Sequence, residues 1–252
     1  MNGETTGVSG GFLAALLAGF VAGYIVLLLK KLTEKLPASL NGIRPMLIYP
    51  LGGLLAIGAV MCGTNPVMGI INTAISTWLN SMGDTSRVLM GAIVAALMGI
   101  DMGGPLNKAT YVFGTAALAS GNYEIMASVM VGGMVPPIVI ALSTTFFPKK
   151  WTADERRNGI INYVMGLCFV TEGAIPYAAT DPLRVIPSCA IGSALAGALS
   201  MVFGCALRAP HGGIFVFPVV EHAPLYLVAL AAGSMVGALL LSVLKKTKTE
   251  EA

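Results

Sequence analysis

Residues Cys168 to Pro182 read CFVTEGAIPYAATDP. Two carboxylates, Glu172 and Asp181, stand there among side chains suited to hydrocarbon, and Gly173, Pro176 and Pro182 interrupt any single regular helix. The rest of the chain makes that placement costly. Its 252 residues are 56% hydrophobic and 11% charged, with a mean hydropathy of +0.81, where soluble domains carry roughly a quarter charged residues. This is the composition of a membrane protein. Even the milder insertion scales charge about 2.5 to 3.5 kcal/mol for an Asp or a basic residue at the bilayer centre. Glu172 is therefore either functional or held by a partner. The interrupted backbone is constrained as tightly, because an unpaired amide or carbonyl in hydrocarbon costs several kcal/mol and survives only inside protein or beside a wet cavity.

Working outward, each bilayer crossing needs about 20 mostly apolar residues. Val8 to Leu29 is an unbroken apolar run that ends on Lys30 and Lys31, with Gly19 and Gly23 at the four-residue spacing that lets helices approach closely. Pro45 to Gly63 predicts a kinked or irregular span, broken at Pro50 and Gly52-Gly53 and stopped by Asn65-Pro66. Ile70 to Leu79 has the periodicity of a helix lying at the interface or against other protein. Asp84 and Ser86 are candidate caps for a helix from about Arg87 to Ile100. Ile125 to Phe147 is apolar but interrupted at Pro136-Pro137, and Gly159 to Val170 is too short to cross. Val185 to Leu207 and Ala223 to Leu244 can both span. The fold class expected is all-α, a polytopic membrane protein of about five to seven transmembrane helices plus re-entrant or broken segments, in one domain over residues 1–252 with tails at both termini.

Charge and cysteine usage narrow the function. The net charge of +3 does not call for nucleic acid. Cations bunch instead between apolar segments, at Lys30, Lys31, Lys35 and Arg44, at Lys149, Lys150, Arg156 and Arg157, and at Lys245, Lys246 and Lys248. Such clusters mark cytoplasmic ends, which puts the C-terminus in the cytoplasm. Cys62, Cys168, Cys189 and Cys205 stand singly and read as small buried packing residues rather than a metal site or disulfide framework. The start shows no basic region and cleavage site of a signal peptide. No metal constellation, phosphate-cradling loop, Ser/His/Asp nucleophile or cofactor motif is expected.

Three stretches are too polar and too rich in Gly and Pro for lipid: DMGGPLNKATY from Asp101, FVTEGAIPYAATDP from Phe169, and RAPHGG from Arg208. In transporters, broken segments of this kind form the substrate site near the midplane. Each residue has a bland alternative. Glu172 either binds a polar ligand or pairs with Lys108 or Arg184. Asp101 either orients its loop or touches ligand, and Asn107 either binds or satisfies loose backbone. His211 is a packing histidine or a ligand contact, and His222 an interfacial residue at a helix start. Asp181-Pro182 has the form of a helix N-cap with Pro in the first turn.

The succession DMGGPLNKATYVFG, VTEGAIPYAATDPLRVIP and APHGG resembles the membrane-embedded IIC domain of the fructose family of bacterial phosphoenolpyruvate-dependent sugar phosphotransferase systems, over almost the whole chain. The resemblance implies a carrier in the bacterial inner membrane, a homodimer, that binds fructose or a fructose-like sugar and presents it for phosphorylation. The donor would be a phosphocysteine on a IIB domain acting in trans, fed by IIA and the phosphocarrier protein, so the donor residue lies outside this chain. It also implies that Glu172 binds the sugar, as base or as ligand, with Thr171, Asn107, Asp101 and His211 as further substrate contacts. The family's IIC domain has membrane segments ahead of the part aligned with Gly10, which leaves the first spans to another polypeptide or to a longer chain. Two other readings of the residues remain: a proton- or cation-coupled secondary transporter or channel without phosphorylation, and a structural membrane subunit.

Overall fold

The computed structural model describes residues 11–37, 42–81 and 84–247. The expected tails, and the capping side chain of Asp84, lie outside the described residues. The chain forms two compact units divided after Trp78.

The first unit holds α1 (Gly11–Thr33), a π-helical stretch Arg44–Gly52, and the greater part of α2 (Gly53–Asn80). The Arg44 guanidinium donates to the Leu36 carbonyl at 2.9 Å and closes the connection after α1. The irregularity expected around Pro50 is this wide π-helical winding, which absorbs a proline that cannot donate. Asn65-Pro66 does not stop the helix. α2 runs through it, because one internal proline removes a single ladder bond and kinks rather than necessarily ends a helix. The segment from Ile70 continues α2 and is no separate interfacial helix. Among the described residues nothing lies within 4 Å of a Cβ built at Gly19 or Gly23. Cys62 is exposed, against the expectation of a buried packing residue, whereas Cys189 and Cys205 are buried and Cys168 is intermediate.

The second unit is built on α5 (Tyr123–Phe146), most of which is buried. α3 (Asp84–Asp101), α9 (Pro182–Val202) and α10 (Ala223–Leu244) pack against it and α4 (Pro105–Ala119) closes one side. Ser86 lies inside α3 and does not cap it. Glycines let these helices touch: a Cβ at Gly192 of α9 would stand 2.6 Å from the Gly233 carbonyl oxygen of α10. Polar links cross between them, with the Tyr226 hydroxyl donating to the Ala127 carbonyl at 3.0 Å. A two-residue antiparallel pair, β1 (Ala206–Leu207) with β2 (Val220–Glu221), is the departure from all-helical structure among the described residues. Four segments among those residues are long and apolar enough to cross a membrane: Arg44–Ile70, Tyr123–Phe146, Pro182–Val202 and Ala223–Leu244. Large apolar side chains such as Leu183, Val228, Met235 and Val243 point outward, which suits a surface facing lipid.

Pro136-Pro137 does not interrupt α5. The two prolines lack the N–H groups that the carbonyls of Gly132 and Gly133 would take one turn earlier. Both carbonyls find hydroxyls instead: Ser193 Oγ of α9 donates to Gly132 at 2.8 Å, and Thr171 Oγ1 to Gly133 at 2.9 Å. The helix survives because other segments supply what its own ladder lacks.

Asp181 sits at the N-cap of α9 but makes no capping bond. Its carboxylate pairs with Arg184 at 2.9 Å and with Lys245 at 3.4 Å. Lys245, expected as a free cytoplasmic cation, is 4% exposed and lies 4.1 Å from the ring centroid of Trp151. The turn Pro148–Lys150 is held to the same place by the Lys150 ammonium, which donates to the Lys245 carbonyl at 2.6 Å.

Two expected outcomes follow from these links. Thr171→Val strands the Gly133 carbonyl and lowers thermal stability in detergent by about 1–3 kcal/mol, while Thr171→Ser does not. Pro137→Ala restores an N–H to Gly133, so the Pro137→Ala, Thr171→Val double variant loses less than Thr171→Val alone, as a double-mutant cycle will read. Burial raises the Asp181 carboxyl, but the Arg184 hydrogen bonds and the Lys245 charge outweigh it and hold it below the ordinary carboxylate range. A carboxyl lowered by folding stabilises the fold above its unfolded value and loses that contribution as pH falls through its folded value. Melting temperature therefore drops on acidification below the ordinary carboxylate range, and Asp181→Asn flattens that drop.

Candidate functional site

α3 ends at Asp101, and the chain reverses through Met102 (φ 41°) and Gly103 (φ 112°) into α4. The Asp101 carboxylate accepts from the Leu106 amide at 2.7 Å, pairing one of the open N–H groups of the α4 start. The Asn107 amide donates to the Met98 carbonyl at 3.1 Å and ties α4 back to α3. One residue on, Lys108 reaches outward, and its ammonium donates to Glu172 Oε1 at 3.0 Å.

Glu172 is carried by the second broken stretch. α7 (Ile161–Leu167) ends, Phe169 takes a left-handed conformation at φ 61°, and Thr171–Ala174 makes a 3₁₀ turn before α8 (Ile175–Thr180). A non-glycine residue there is strained, and such strain persists where surrounding contacts over-determine it. Here the Thr171 bond to Gly133 pins the next residues. The third stretch turns at Gly212 and Gly213 (φ 136° and 56°), and a Cβ on Gly213 would stand 2.1 Å from the Leu167 carbonyl oxygen. That contact lays the His211 ring 5.0 Å from Phe169 and 6.3 Å from Tyr111, centroid to centroid.

Together the three stretches enclose a cavity of about 260 Å³ with Lys108, Tyr111, Phe169, Glu172 and His211 on its walls, near the lower end of the ~300–1,000 Å³ of small-molecule sites. A carboxylate, an ammonium, an imidazole and a phenol converge there with aromatic faces, so the cavity can accept from and donate to hydroxyls while packing C–H surface. The Glu172 and Lys108 side chains are 45% and 63% exposed. A pair so open is worth about 0–1 kcal/mol, so an incoming hydroxyl can displace it at little cost.

Of the five residues singled out from the sequence, Glu172, His211, Asn107 and Thr171 line this cavity, the last two with their polar groups engaged by backbone. Asp101 is not on its walls and holds the loop instead. Glu172 pairs with Lys108, and Arg184 is taken by Asp181. His222 begins α10 at φ 61°. Tyr111 and Phe169 went unnoticed. Tyr111 follows Lys108 by three residues, one helical turn on the same face, and that spacing was the available signal; nothing local distinguished Phe169.

Interrupted helices that shelter ionisable groups in an otherwise apolar multi-pass chain are the architecture of membrane transport proteins. The model of the family "Phosphotransferase system, EIIC" matches residues 3–192. The fructose permease IIC component of Bacillus amyloliquefaciens is 50% identical over 248 residues, 98% of this chain and 81% of that protein. The PTS system fructose-specific EIIABC component of Bacillus subtilis is also 50% identical over 248 residues, of whose length this chain covers 39%, and the EIIB'BC component of Escherichia coli is 43% identical over 221 residues, 86% of this chain and 39% of that one. No solved structure matches the chain. The chain belongs to the EIIC family of the phosphotransferase system and spans 39% of the length of the fused Bacillus subtilis relative.

Gly103 tests the site's construction. A Cβ there would lie 2.8 Å from Glu172 Cγ, and the φ of 112° adds about 1–2 kcal/mol of strain for a side chain. Gly103→Ala displaces Glu172. Sugar binding measured by calorimetry falls at least tenfold while the protein still elutes as a folded species.

Proposed function

We propose that this chain binds fructose or a fructose-like sugar from outside the bacterial inner membrane in the Glu172 cavity and holds it for phosphorylation by a IIB domain acting in trans. IIA and the phosphocarrier protein recharge that domain. The relatives whose names join A, B and C components support such partners. The single observation that carries this reading is the meeting of Glu172, Lys108 and His211 in one cavity, each brought by a different broken segment.

In this mechanism a sugar hydroxyl replaces Lys108 at the Glu172 carboxylate, His211 and Tyr111 take neighbouring hydroxyls, and the aromatic rings set the plane of the sugar. Thr171 and Asn107 keep the walls in place, and Asp101 acts on the ligand through the position of Lys108. Holding the accepting hydroxyl in line with the donor phosphate supplies the orientation that phosphoryl transfer needs. The proton released goes to Glu172 or to water. The product carries about two negative charges at neutral pH and is repelled by Glu172, so the sugar is trapped without ion coupling. The chain acts as a homodimer, with its C-terminal lysines in the cytoplasm.

The test is uptake by membrane vesicles supplied with phosphorylated IIB. Glu172→Gln weakens sugar binding about 10- to 100-fold, the worth of a hydrogen bond to a charged group, and stops accumulation of sugar phosphate. Entry of unmodified sugar driven by a proton gradient would overturn the assignment.

A further inference from the structure

Glu172 is a wall of two cavities. Besides the one it shares with His211, it borders a second of about 460 Å³ between α6 (Ala153–Gly159), α7 and α8, where Asp154, Asn158, Asn162, Tyr177 and Thr180 also line the walls. Asn162 is the unusual member. Its side chain is 2% exposed, and its Oδ1 has no hydrogen-bond partner. A buried acceptor left open costs about 1–3 kcal/mol, and each such group in a folded protein calls for an explanation. Gly173 makes room for it: a Cβ there would stand 2.3 Å from Oδ1, so the residue next to Glu172 must be small for the amide to lie where it does.

We infer that the second cavity is a second sugar compartment, entered from the first past Glu172, in which the Asn162 amide takes up hydroxyls released from His211. This rests on the Glu172 cavity being the sugar site. The compartment suits a neutral polyol: its walls are largely apolar, with Ile161, Met165 and Pro176 offering surface to C–H groups, and carry the carboxylates of Asp154, Glu155 and Glu172, amides and hydroxyls, and no basic side chain. A phosphorylated sugar finds no counter-charge there. Glu155 is already engaged, accepting from the Thr152 amide at 2.8 Å. Glu172 thus stays in contact with the sugar in both compartments, and Asn162 is a positioning residue of the second.

The experiment uses the full chain in vesicles with phosphorylated IIB and fructose as probe, reading equilibrium binding and the rate of sugar-phosphate formation separately. Asn162→Ala is expected to leave binding within about twofold and to slow turnover at least tenfold. Asn162→Ser, which keeps a hydroxyl, recovers part of the rate and serves in its place if the alanine variant does not fold. A merely structural Asn162 would lower binding and turnover together, and that result overturns the inference. So do parental rates in both variants, which together with an inactive Glu172→Gln leave the first cavity's assignment standing. Glu172→Gln at parental activity would sink that assignment as well.

Discussion

Pro136 and Pro137 leave two carbonyls unpaired in the middle of the most buried helix of the chain, and both must be satisfied from outside that helix. Everything near the site depends on how this is done. Ser193 takes one carbonyl and binds α9 to α5. Thr171 takes the other and fixes the start of the 3₁₀ turn that carries Glu172. A hydroxyl offered to a water-exposed carbonyl would add little, because water competes for it. Offered to one with no alternative partner, it decides where a loop must stand. The Glu172 carboxylate is thus placed by the core, one residue removed from a bond the core cannot do without.

The site combines a rigid frame with a loose centre. Its frame is backbone against backbone where Gly213 lies on the end of α7, and such a contact yields little because packed interiors have few voids. Its centre, the Glu172–Lys108 pair, is open on both sides and contributes little to folding.

The charged groups sort by burial as well. Lys245 is shielded, paired with Asp181 and stacked on Trp151, so removing Asp181 leaves it as an uncompensated charge. They join α9, α10 and the basic turn after α5. Glu172 and Lys108, with the same chemistry and more exposure, are available to bind. The distinction between a closed and an open carboxylate in this chain lies in solvent access and not in residue type.

Much was legible from residue order. A carboxylate, a histidine or a Gly-Pro pair in an apolar chain is a local anomaly, visible without knowing what surrounds it, so the three broken stretches and Glu172, Asn107, Thr171 and His211 stood out. Outcomes that depend on partners distant in the chain were not legible. Asn65-Pro66 looked like a helix end and Pro136-Pro137 like an interruption, yet α2 and α5 pass through them. The pairing of Asp181 with Lys245 joins residues 64 apart, and Asp101, poised between loop and ligand, went to the loop. By itself the sequence determined that the chain lives in a membrane, and that three polar, Gly- and Pro-rich stretches cannot be lipid-facing helix, because both follow from the transfer cost of each residue taken singly. Only the tertiary structure decided which freed carbonyl met which hydroxyl and which carboxylate kept an open side, because those energies belong to pairs of groups that the fold alone brings within bonding distance.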